Sequence, residues 1–168
     1  MLRIIIQPKK GIDMESLEGK KAPAFTLEGS DGKKHSIKDY LGKRVVIYFY
    51  PRDNTPGCTK ESCGFRDLNK QIGDLNTVVL GVSKDSLKSH DKFIGDFNLS
   101  FTLLSDPETK MMAKYGAWGE KVLYGKTSIG CIRSTVIIDE KGKILKHWRK
   151  VPKAEAHPQK VLEYLQAL

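Results

Sequence analysis

Six consecutive β-branched and aromatic residues, Val45–Tyr50, limit the folds open to this chain. The run contains no polar position that could face water, so it predicts a strand covered on both faces. A second apolar run of the same kind, Thr77–Val82, follows further along the chain, after a segment with helical periodicity. Strands of this kind occur in sheets that carry helices on each side, so the two runs indicate an α/β protein.

Strands and helices alternate from Met14 onward. The predicted helices are Pro56–Ile72, Ser86–Phe97, Pro107–Tyr115 and Ala154–Leu168. The remaining predicted strands are Ala24–Leu27, Lys34–Ile37, Thr102–Leu104, Ser134–Ile138 and Lys143–Trp148. The last two flank the turn Asp139–Gly142 and are expected to form an antiparallel hairpin. This order predicts a central mixed β-sheet with helices on both faces.

The chain length of 168 residues fits one compact domain. No repeat or linker divides residues 14–168, which we predict to form that domain. Residues 1–13 differ from the rest, because they precede a second methionine and contain the breaker-rich segment Pro8–Gly11. They are either an N-terminal extension with an extra strand at Arg3–Ile6, a product of an upstream start codon, or a remnant of cloning. The sequence does not decide between these alternatives.

Composition argues against several classes of protein. The net charge is +9, but the lysines are mixed with acidic residues in nearly every segment. No basic stripe is interleaved with aromatic residues, so a nucleic-acid-binding module is disfavoured. The longest apolar run is too short to cross a membrane, and the opening MLRIII lacks the apolar core of a signal peptide. Three cysteines are too few for a secreted disulfide scaffold, so we expect the cytoplasm.

Cys58 lies where the predicted strand Val45–Tyr50 gives way to the helix Pro56–Ile72. Thr55 followed by Pro56 is typical of an N-cap and a first helical residue, which puts Cys58 in the first turn. Unpaired backbone N–H groups and the positive end of the helix dipole stabilise a thiolate at that position. The ends of strands in α/β sheets are also where ligands bind. A buried structural cysteine is the alternative interpretation.

The segment around Cys58 resembles the active site of the peroxiredoxins. Pro51, Thr55 and Cys58 match every fixed position of the family pattern Pro-x-x-x-Thr-x-x-Cys. The longer stretch TPGCTKESC, from Thr55 to Cys63, is similar to the bacterioferritin comigratory protein or peroxiredoxin Q subfamily, whose second cysteine lies five residues after the first. The similarity runs from about Met14 to the C-terminus and includes the segments Ala22–Phe25, Trp118–Lys121, Tyr124–Thr127 and Arg133–Asp139.

This resemblance implies a thioredoxin-like fold and a thiol-dependent peroxidase that reduces hydrogen peroxide and organic hydroperoxides. Cys58 would attack the peroxide and become a sulfenic acid, and Cys63 would condense with it to a disulfide. The Thr55 hydroxyl would hydrogen-bond the thiolate or the peroxide, and Pro51 would shield the sulfur from water. The Arg133 guanidinium would stabilise the thiolate and the charge that develops in the transition state.

The resemblance also implies the partners. Thioredoxin or a similar dithiol protein would reopen the disulfide, and neither a metal nor an organic cofactor is needed. A monomer is expected rather than a dimer. The alternative enzyme is a thiol–disulfide oxidoreductase acting on protein disulfides, which typically carries C-x-x-C rather than the four intervening residues found here.

Some weaker sequence signals allow two interpretations, and the histidines indicate no metal site. Cys131 is either incidental or an alternative resolving thiol, since the subfamily pattern has no cysteine there. Trp118 and Tyr124 either wall the substrate entrance or pack a loop. The four histidines share no metal-ligand spacing with each other or with the cysteines.

The spacing of the two active-site cysteines predicts a conformational change. Five residues along an intact helix separate two Cα atoms by roughly 8.7 Å, whereas a disulfide usually requires less than about 7 Å. Phe65, Leu68 and Ile72 share a helix face with Cys58, while Cys63 points nearly opposite. We therefore expect the Cys58–Cys63 disulfide to unwind the helix start between Pro56 and Phe65.

Overall fold

A computed structural model of the chain describes residues 15–168. The strand expected at Arg3–Ile6 lies outside the described residues, and the assignment of residues 1–13 as an extension stays a prediction. The strands are β1 (Thr26–Gly29), β2 (Lys34–Ser36), β3 (Arg44–Phe49), β4 (Thr77–Ser83), β5 (Thr102–Ser105), β6 (Trp118–Leu123), β7 (Lys126–Cys131), β8 (Ser134–Ile138) and β9 (Ile144–Trp148). The α-helices are α1 (Pro56–Gly73), α2 (Leu87–Phe97), α3 (Lys110–Lys114) and α4 (His157–Gln166), and a short 3-10 helix covers Ile37–Tyr40.

Seven of these strands form one mixed sheet in the order β2-β1-β5-β4-β3-β8-β9. The central strands β3, β4 and β5 run parallel, and β8 pairs antiparallel with β3. The apolar runs Val45–Tyr50 and Thr77–Val82 therefore form the middle of the sheet, with β3 and β4 side by side. Their carboxyl ends meet at one edge, which is where the loop leading to α1 begins.

Both faces of the sheet are covered, and each has its own core. Alternate residues of β3 point to opposite faces, so Val45, Ile47 and Phe49 join a different cluster from Val46 and Tyr48. The first cluster is covered by residues of α3 and of the segment 17–25, which precedes β1. The second cluster is covered by residues of α1, α2 and α4. The expected central mixed sheet with helices on both faces is confirmed.

Element boundaries differ from the predicted ones mainly at turns. The helix expected at Pro107–Tyr115 is restricted to Lys110–Lys114, because Thr109 adopts a left-handed backbone with φ of 59° that a helix cannot contain. The strand expected at Ala24–Leu27 is displaced to Thr26–Gly29. The final helix begins at His157 rather than Ala154. The central strands and α1 deviate from their predicted ends by a single residue.

The hairpin of β6 and β7 was not predicted. These strands form a separate two-stranded antiparallel sheet, joined by a turn in which Tyr124 and Gly125 both have positive φ. Val122 and Ile129 are 70% and 71% exposed, so apolar residues here do not mark a buried face. Without one covered face the strands lack the alternation of apolar and polar residues by which strands are recognised. The Tyr-Gly turn was the available signal.

Among residues 15–168, no helix combines the length and the apolar character needed to cross a bilayer.

Candidate active site

Cys58 lies in the first turn of α1, as its sequence context predicts. The chain leaves β3 at Phe49 and turns through residues 50–55, and α1 starts at Pro56. Thr55 is the N-cap, with the extended backbone (φ −91°, ψ 153°) usual for that position. The Cys58 side chain faces the sheet and the residue is only 1% exposed. Backbone N–H groups at the start of α1 and the helix dipole therefore act on a nearly buried sulfur.

Arg133 reaches Cys58 because β8 runs antiparallel to β3. Ser134, the first residue of β8, pairs with Phe49, the last residue of β3, so Arg133 lies at the sheet edge where the loop to α1 starts. Its Nη2 donates a hydrogen bond to the Cys58 Sγ over 3.3 Å. A Cβ atom on Gly57 would stand 3.2 Å from the same nitrogen, so the glycine leaves room for the guanidinium. The contact places a permanent positive charge beside the sulfur.

Glu61 completes the contacts of Arg133 and was missed by the sequence analysis. Its Oε1 accepts a hydrogen bond from Arg133 Nη1 over 2.8 Å. The residue is fully buried, and its Oε2 has no hydrogen-bond partner among the described residues. Burial raises the pKa of Glu61 to about 7, against the opposing effect of Arg133. The available signal was its position three residues after Cys58, on the same helix face.

Thr55 and Pro51 lie in the loop that precedes the helix, and both are partly buried. The Thr55 hydroxyl donates a hydrogen bond to the carbonyl oxygen of Arg52 over 2.8 Å, which closes the turn into α1. That hydroxyl oxygen retains lone pairs that can accept a hydrogen bond from a bound hydroperoxide. The expected roles of both residues towards the thiolate and the peroxide stay predictions.

The other two cysteines occupy different surroundings. Cys63 is partly exposed on α1, outside the core cluster that holds Cys58, Phe65 and Ile72, and all three thiols of the described chain are free. Cys131 is buried at the end of β7 opposite Trp118, and burial raises its pKa to about 12. A thiol with such a pKa is protonated at neutral pH and is a poor nucleophile.

The two candidate entrance residues have different surroundings. Trp118 is partly buried, with the Lys84 Nζ 5.6 Å from its ring centroid. Tyr124 is 96% exposed at the turn of the hairpin, so the prediction that it packs a loop is wrong.

A cleft of about 590 Å³ opens over the first turn of α1. It is lined by Gly57, Lys60, Arg133 and residues 152–156. The Arg133 side chain is 18% exposed, so the guanidinium that contacts Cys58 is also reachable from the cleft. No cluster of three or more histidine, cysteine or acidic side chains suited to a metal ion occurs in residues 15–168. The site therefore consists of a nearly buried thiol and a guanidinium that both contacts this thiol and lines an open cleft.

Comparison with known proteins places this arrangement in a family. Residues 18–147 match the model of the AhpC/TSA family. Peroxiredoxin Bcp of Bacillus subtilis is 45% identical over 150 residues, which cover 89% of this chain and 93% of that protein. A cysteine-to-serine variant of Xylella fastidiosa PrxQ superposes with a TM-score of 0.85 at 35% identity, covering 92% of this chain and 98% of that one.

A further solved structure was described in connection with peroxide reduction. The bacterioferritin comigratory protein of Xanthomonas campestris, described for its alkyl peroxide reduction activity, has a TM-score of 0.80 at 37% identity and covers 85% of this chain and 90% of its own. The fold, the position of Cys58 at the start of α1 and these similarities all indicate the same family. The chain belongs to the AhpC/TSA family and, within it, to the bacterioferritin comigratory protein and peroxiredoxin Q group of thiol-dependent peroxidases.

Proposed function

We propose that Cys58 is the peroxidatic cysteine of this enzyme and that Arg133 activates it. The observation that carries the assignment is the 3.3 Å contact between Arg133 Nη2 and the Cys58 Sγ at the start of α1. Of the three thiols in the described chain, Cys58 alone has both a guanidinium contact and a position in the first turn of a helix. Together these features favour its thiolate form.

The reaction begins with attack of the Cys58 thiolate on one peroxide oxygen. An S–O bond forms while the O–O bond breaks, and the departing oxygen leaves as water or an alcohol after taking a proton. The peroxide gains two electrons and Cys58 becomes a sulfenic acid. Arg133 donates hydrogen bonds to the oxygens on which negative charge develops, and Thr55 and Pro51 orient the peroxide and exclude water.

Cys63 then resolves the sulfenic acid. Its thiolate attacks the Cys58 sulfur, expels the oxygen as water and forms the Cys58–Cys63 disulfide. A dithiol protein of the thioredoxin type returns both cysteines to thiols by exchange and is itself oxidised. The partly exposed position of Cys63 supports this step, because the reductant must reach one sulfur of the disulfide.

The substrates we propose are hydrogen peroxide and organic hydroperoxides. The similarity to the Xanthomonas campestris protein, whose structures concern alkyl peroxide reduction, supports the organic class. The open cleft beside Arg133 supports it as well, since an alkyl group needs space beyond the reacting oxygens.

We also propose that the enzyme is cytoplasmic and acts as a monomer. The free thiols of the described chain suit a reducing compartment. The monomer is implied by the resemblance to the peroxiredoxin Q group, and light scattering during gel filtration tests it. A stable dimer at micromolar concentration would contradict the monomer.

Steady-state peroxide consumption with thioredoxin, thioredoxin reductase and NADPH tests the assignment. Cys58→Ser is expected to abolish turnover, and Cys63→Ser to react once and then stall. Cys131→Ser is the matched control, because it removes a buried thiol of high pKa, and it is expected to retain wild-type turnover. Turnover by Cys58→Ser, or loss of turnover in Cys131→Ser alone, would contradict the assignment.

A further inference from the structure

Asp53, in the loop between β3 and α1, is a buried carboxylate surrounded by donors. Its side chain is 1% exposed. Oδ1 accepts a hydrogen bond from the Tyr50 hydroxyl over 2.6 Å. Oδ2 accepts from the Ser89 hydroxyl and is hydrogen-bonded to His90 Nδ1, both over 2.8 Å. Both oxygens are thus used, and the last two partners come from the neighbouring helix α2.

His90 is held through both of its ring nitrogens. Nδ1 lies 2.8 Å from Asp53 Oδ2, and Nε2 lies 2.9 Å from the carbonyl oxygen of Leu104. The side chains of His90 and Asp53 are 0% and 1% exposed, so both contacts are shielded from water. The imidazole ring therefore joins the loop carboxyl group to the backbone of β5 through buried hydrogen bonds.

The backbone of the same loop residue is held separately. The N–H of Asp53 donates to Asp85 Oδ2 over 2.9 Å, and the Ser83 hydroxyl donates to the same oxygen over 2.7 Å. Ser83 is the last residue of β4, so this second set of bonds ties the loop to the carboxyl end of the next strand. The loop is therefore fixed through both the main chain and the side chain of one residue.

We propose that Asp53 and His90 are positioning residues for the peroxidase reaction. The buried hydrogen bonds of this pair hold residues 51–55 in the conformation that presents Pro51, Thr55 and the first turn of α1 to the peroxide. The inference rests on the proposed function, since it concerns the geometry in which Cys58 reacts. Neither residue contacts the reacting atoms, and both act through the loop.

The position of the loop explains why such a pair is needed. Residues 50–55 belong to no strand or helix, and Asn54 adopts a left-handed backbone with φ of 60°. Cys58 lies five residues after Asp53, so a displacement of the loop moves the helix start as well. In-line attack on an O–O bond tolerates little misplacement, and an error of about 1 Å can slow a reaction by about a hundredfold. A buried polar side chain that loses its hydrogen-bond partner also costs free energy, so the loop has one favoured arrangement.

Asp53→Asn tests the proposal by replacing one acceptor oxygen with an amide NH₂ group of similar size. This group cannot accept from the Ser89 hydroxyl, which weakens the tie to α2, but it can donate to His90 Nδ1, so the variant can fold. Two rate constants are measured for Cys58 at one pH: oxidation by hydrogen peroxide in a stopped-flow instrument, and alkylation by iodoacetamide. Alkylation requires the thiolate but not the peroxide geometry, so the ratio of the two reports positioning.

We expect oxidation by peroxide to slow by about tenfold or more, while alkylation does not fall. Asp96→Asn is the matched control, because Asp96 forms an exposed ion pair with Lys92 on the same helix. It should change neither rate. If Asp53→Asn does not fold, His90→Asn removes the ring that joins Asp53 to Leu104, and the same two rates are compared.

Two results would overturn the proposal. One is a folded Asp53→Asn or His90→Asn variant that is oxidised at the wild-type rate. The other is a folded variant in which alkylation falls in the same proportion as oxidation. Failure of the proposed function gives a different result, because wild-type Cys58 would then not react with peroxide.

Discussion

Arg133 contacts two acidic groups at once, the Cys58 thiol through Nη2 and the Glu61 carboxylate through Nη1. The second contact fixes the plane of the guanidinium, so the first nitrogen stays directed at the sulfur. The carboxylate also competes with the thiolate for the same positive charge. Its high pKa limits that competition near neutral pH, because a fraction of Glu61 is then protonated.

Arg133→Ala should lower the rate constant for oxidation of Cys58 by hydrogen peroxide about a hundredfold. The substitution removes both the cation that stabilises the thiolate and the donor to the developing negative charge. Stopped-flow measurements of the variant and the wild type give the ratio. Arg52→Ala is the control, since Arg52 lies in the active-site loop with an exposed side chain. Equal effects of the two substitutions would contradict the role of Arg133.

For single residues, the sequence predicts those within the active-site segment better than those whose contacts depend on distant parts of the chain. Cys58 and Thr55 could be assigned because a strand, an N-cap and a helix start lie within one short segment. Arg133 is one arginine among several, and its assignment depends on the family resemblance. Glu61 was missed because a glutamate in a helix is usually exposed. The partner of its buried carboxyl group is Arg133, which lies 72 residues further along the chain.

Helix α1 must change its conformation if the two active-site cysteines are to bond. In the reduced structure it is continuous from Pro56 to Gly73 and contains both thiols. Its first half is held by the buried hydrogen bond between Ser62 and Tyr48 and by the stacking of Phe65 on Tyr48. Unwinding this half breaks these contacts, so the oxidised state is expected to be less protected there.

Hydrogen exchange compares the two redox states directly. Amides of residues 59–65 should exchange faster in the disulfide form than in the reduced form, because their helical hydrogen bonds are lost. Amides of residues 67–73, in the second half of the same helix, are the internal control and should stay protected. A disulfide form confirmed by mass spectrometry that retains full protection of residues 59–65 would contradict the unwinding.

The crossing of α1 and α4 depends on one glycine. A Cβ atom on Gly64 would lie 2.7 Å from Pro158 Cγ, and the proline ring cannot move aside by rotating. Gly64→Ala should therefore lower the free energy of unfolding by about 1–3 kcal/mol, measured by denaturant titration. Gly95→Ala in α2 is the matched control, since its Cβ would meet nothing within 4 Å. It should stabilise the protein by up to about 1 kcal/mol, and equal stabilities of the two variants would contradict the packing argument.

At the scale of elements, prediction succeeded where a segment is covered on both faces and failed where it is covered on neither. The strands β3 and β4 are unbroken apolar runs because both faces of the sheet are packed. The hairpin of β6 and β7 is separate from the large sheet, so its sequence lacks the apolar pattern of a strand with a buried face. The short helix α3 was predicted too long because Thr109 adopts a left-handed backbone. A threonine gives no sequence signal for that conformation.

For the whole molecule, Glu61 makes stability depend on pH. The pKa of Glu61 is raised by burial from an ordinary 4.5 to about 7 in the folded protein. Between these values the folded state holds a proton that the unfolded state has released. The contribution of Glu61 to the free energy of unfolding therefore falls as pH rises through this range and is constant above and below it.

Glu61→Gln removes this titration while keeping the shape of the side chain. The difference in unfolding free energy between wild type and variant should decline from about pH 4.5 to about pH 7, by at most about 1.4 kcal/mol per pH unit. Urea titrations at several pH values measure it. Glu163→Gln, at an exposed carboxylate in α4, is the control and should give a profile parallel to that of the wild type. A parallel profile for Glu61→Gln would mean that Glu61 titrates normally.

The peroxidase activity of the whole molecule depends on the assignment of one sulfur as the nucleophile. Treating Cys63→Ser protein with one equivalent of hydrogen peroxide in the presence of dimedone tests this assignment most directly, because the sulfenic acid is trapped where it forms. Peptide mapping by mass spectrometry is expected to find the adduct on Cys58 and none on Cys131. An adduct on Cys131, or consumption of peroxide with no adduct on Cys58, would contradict the assignment.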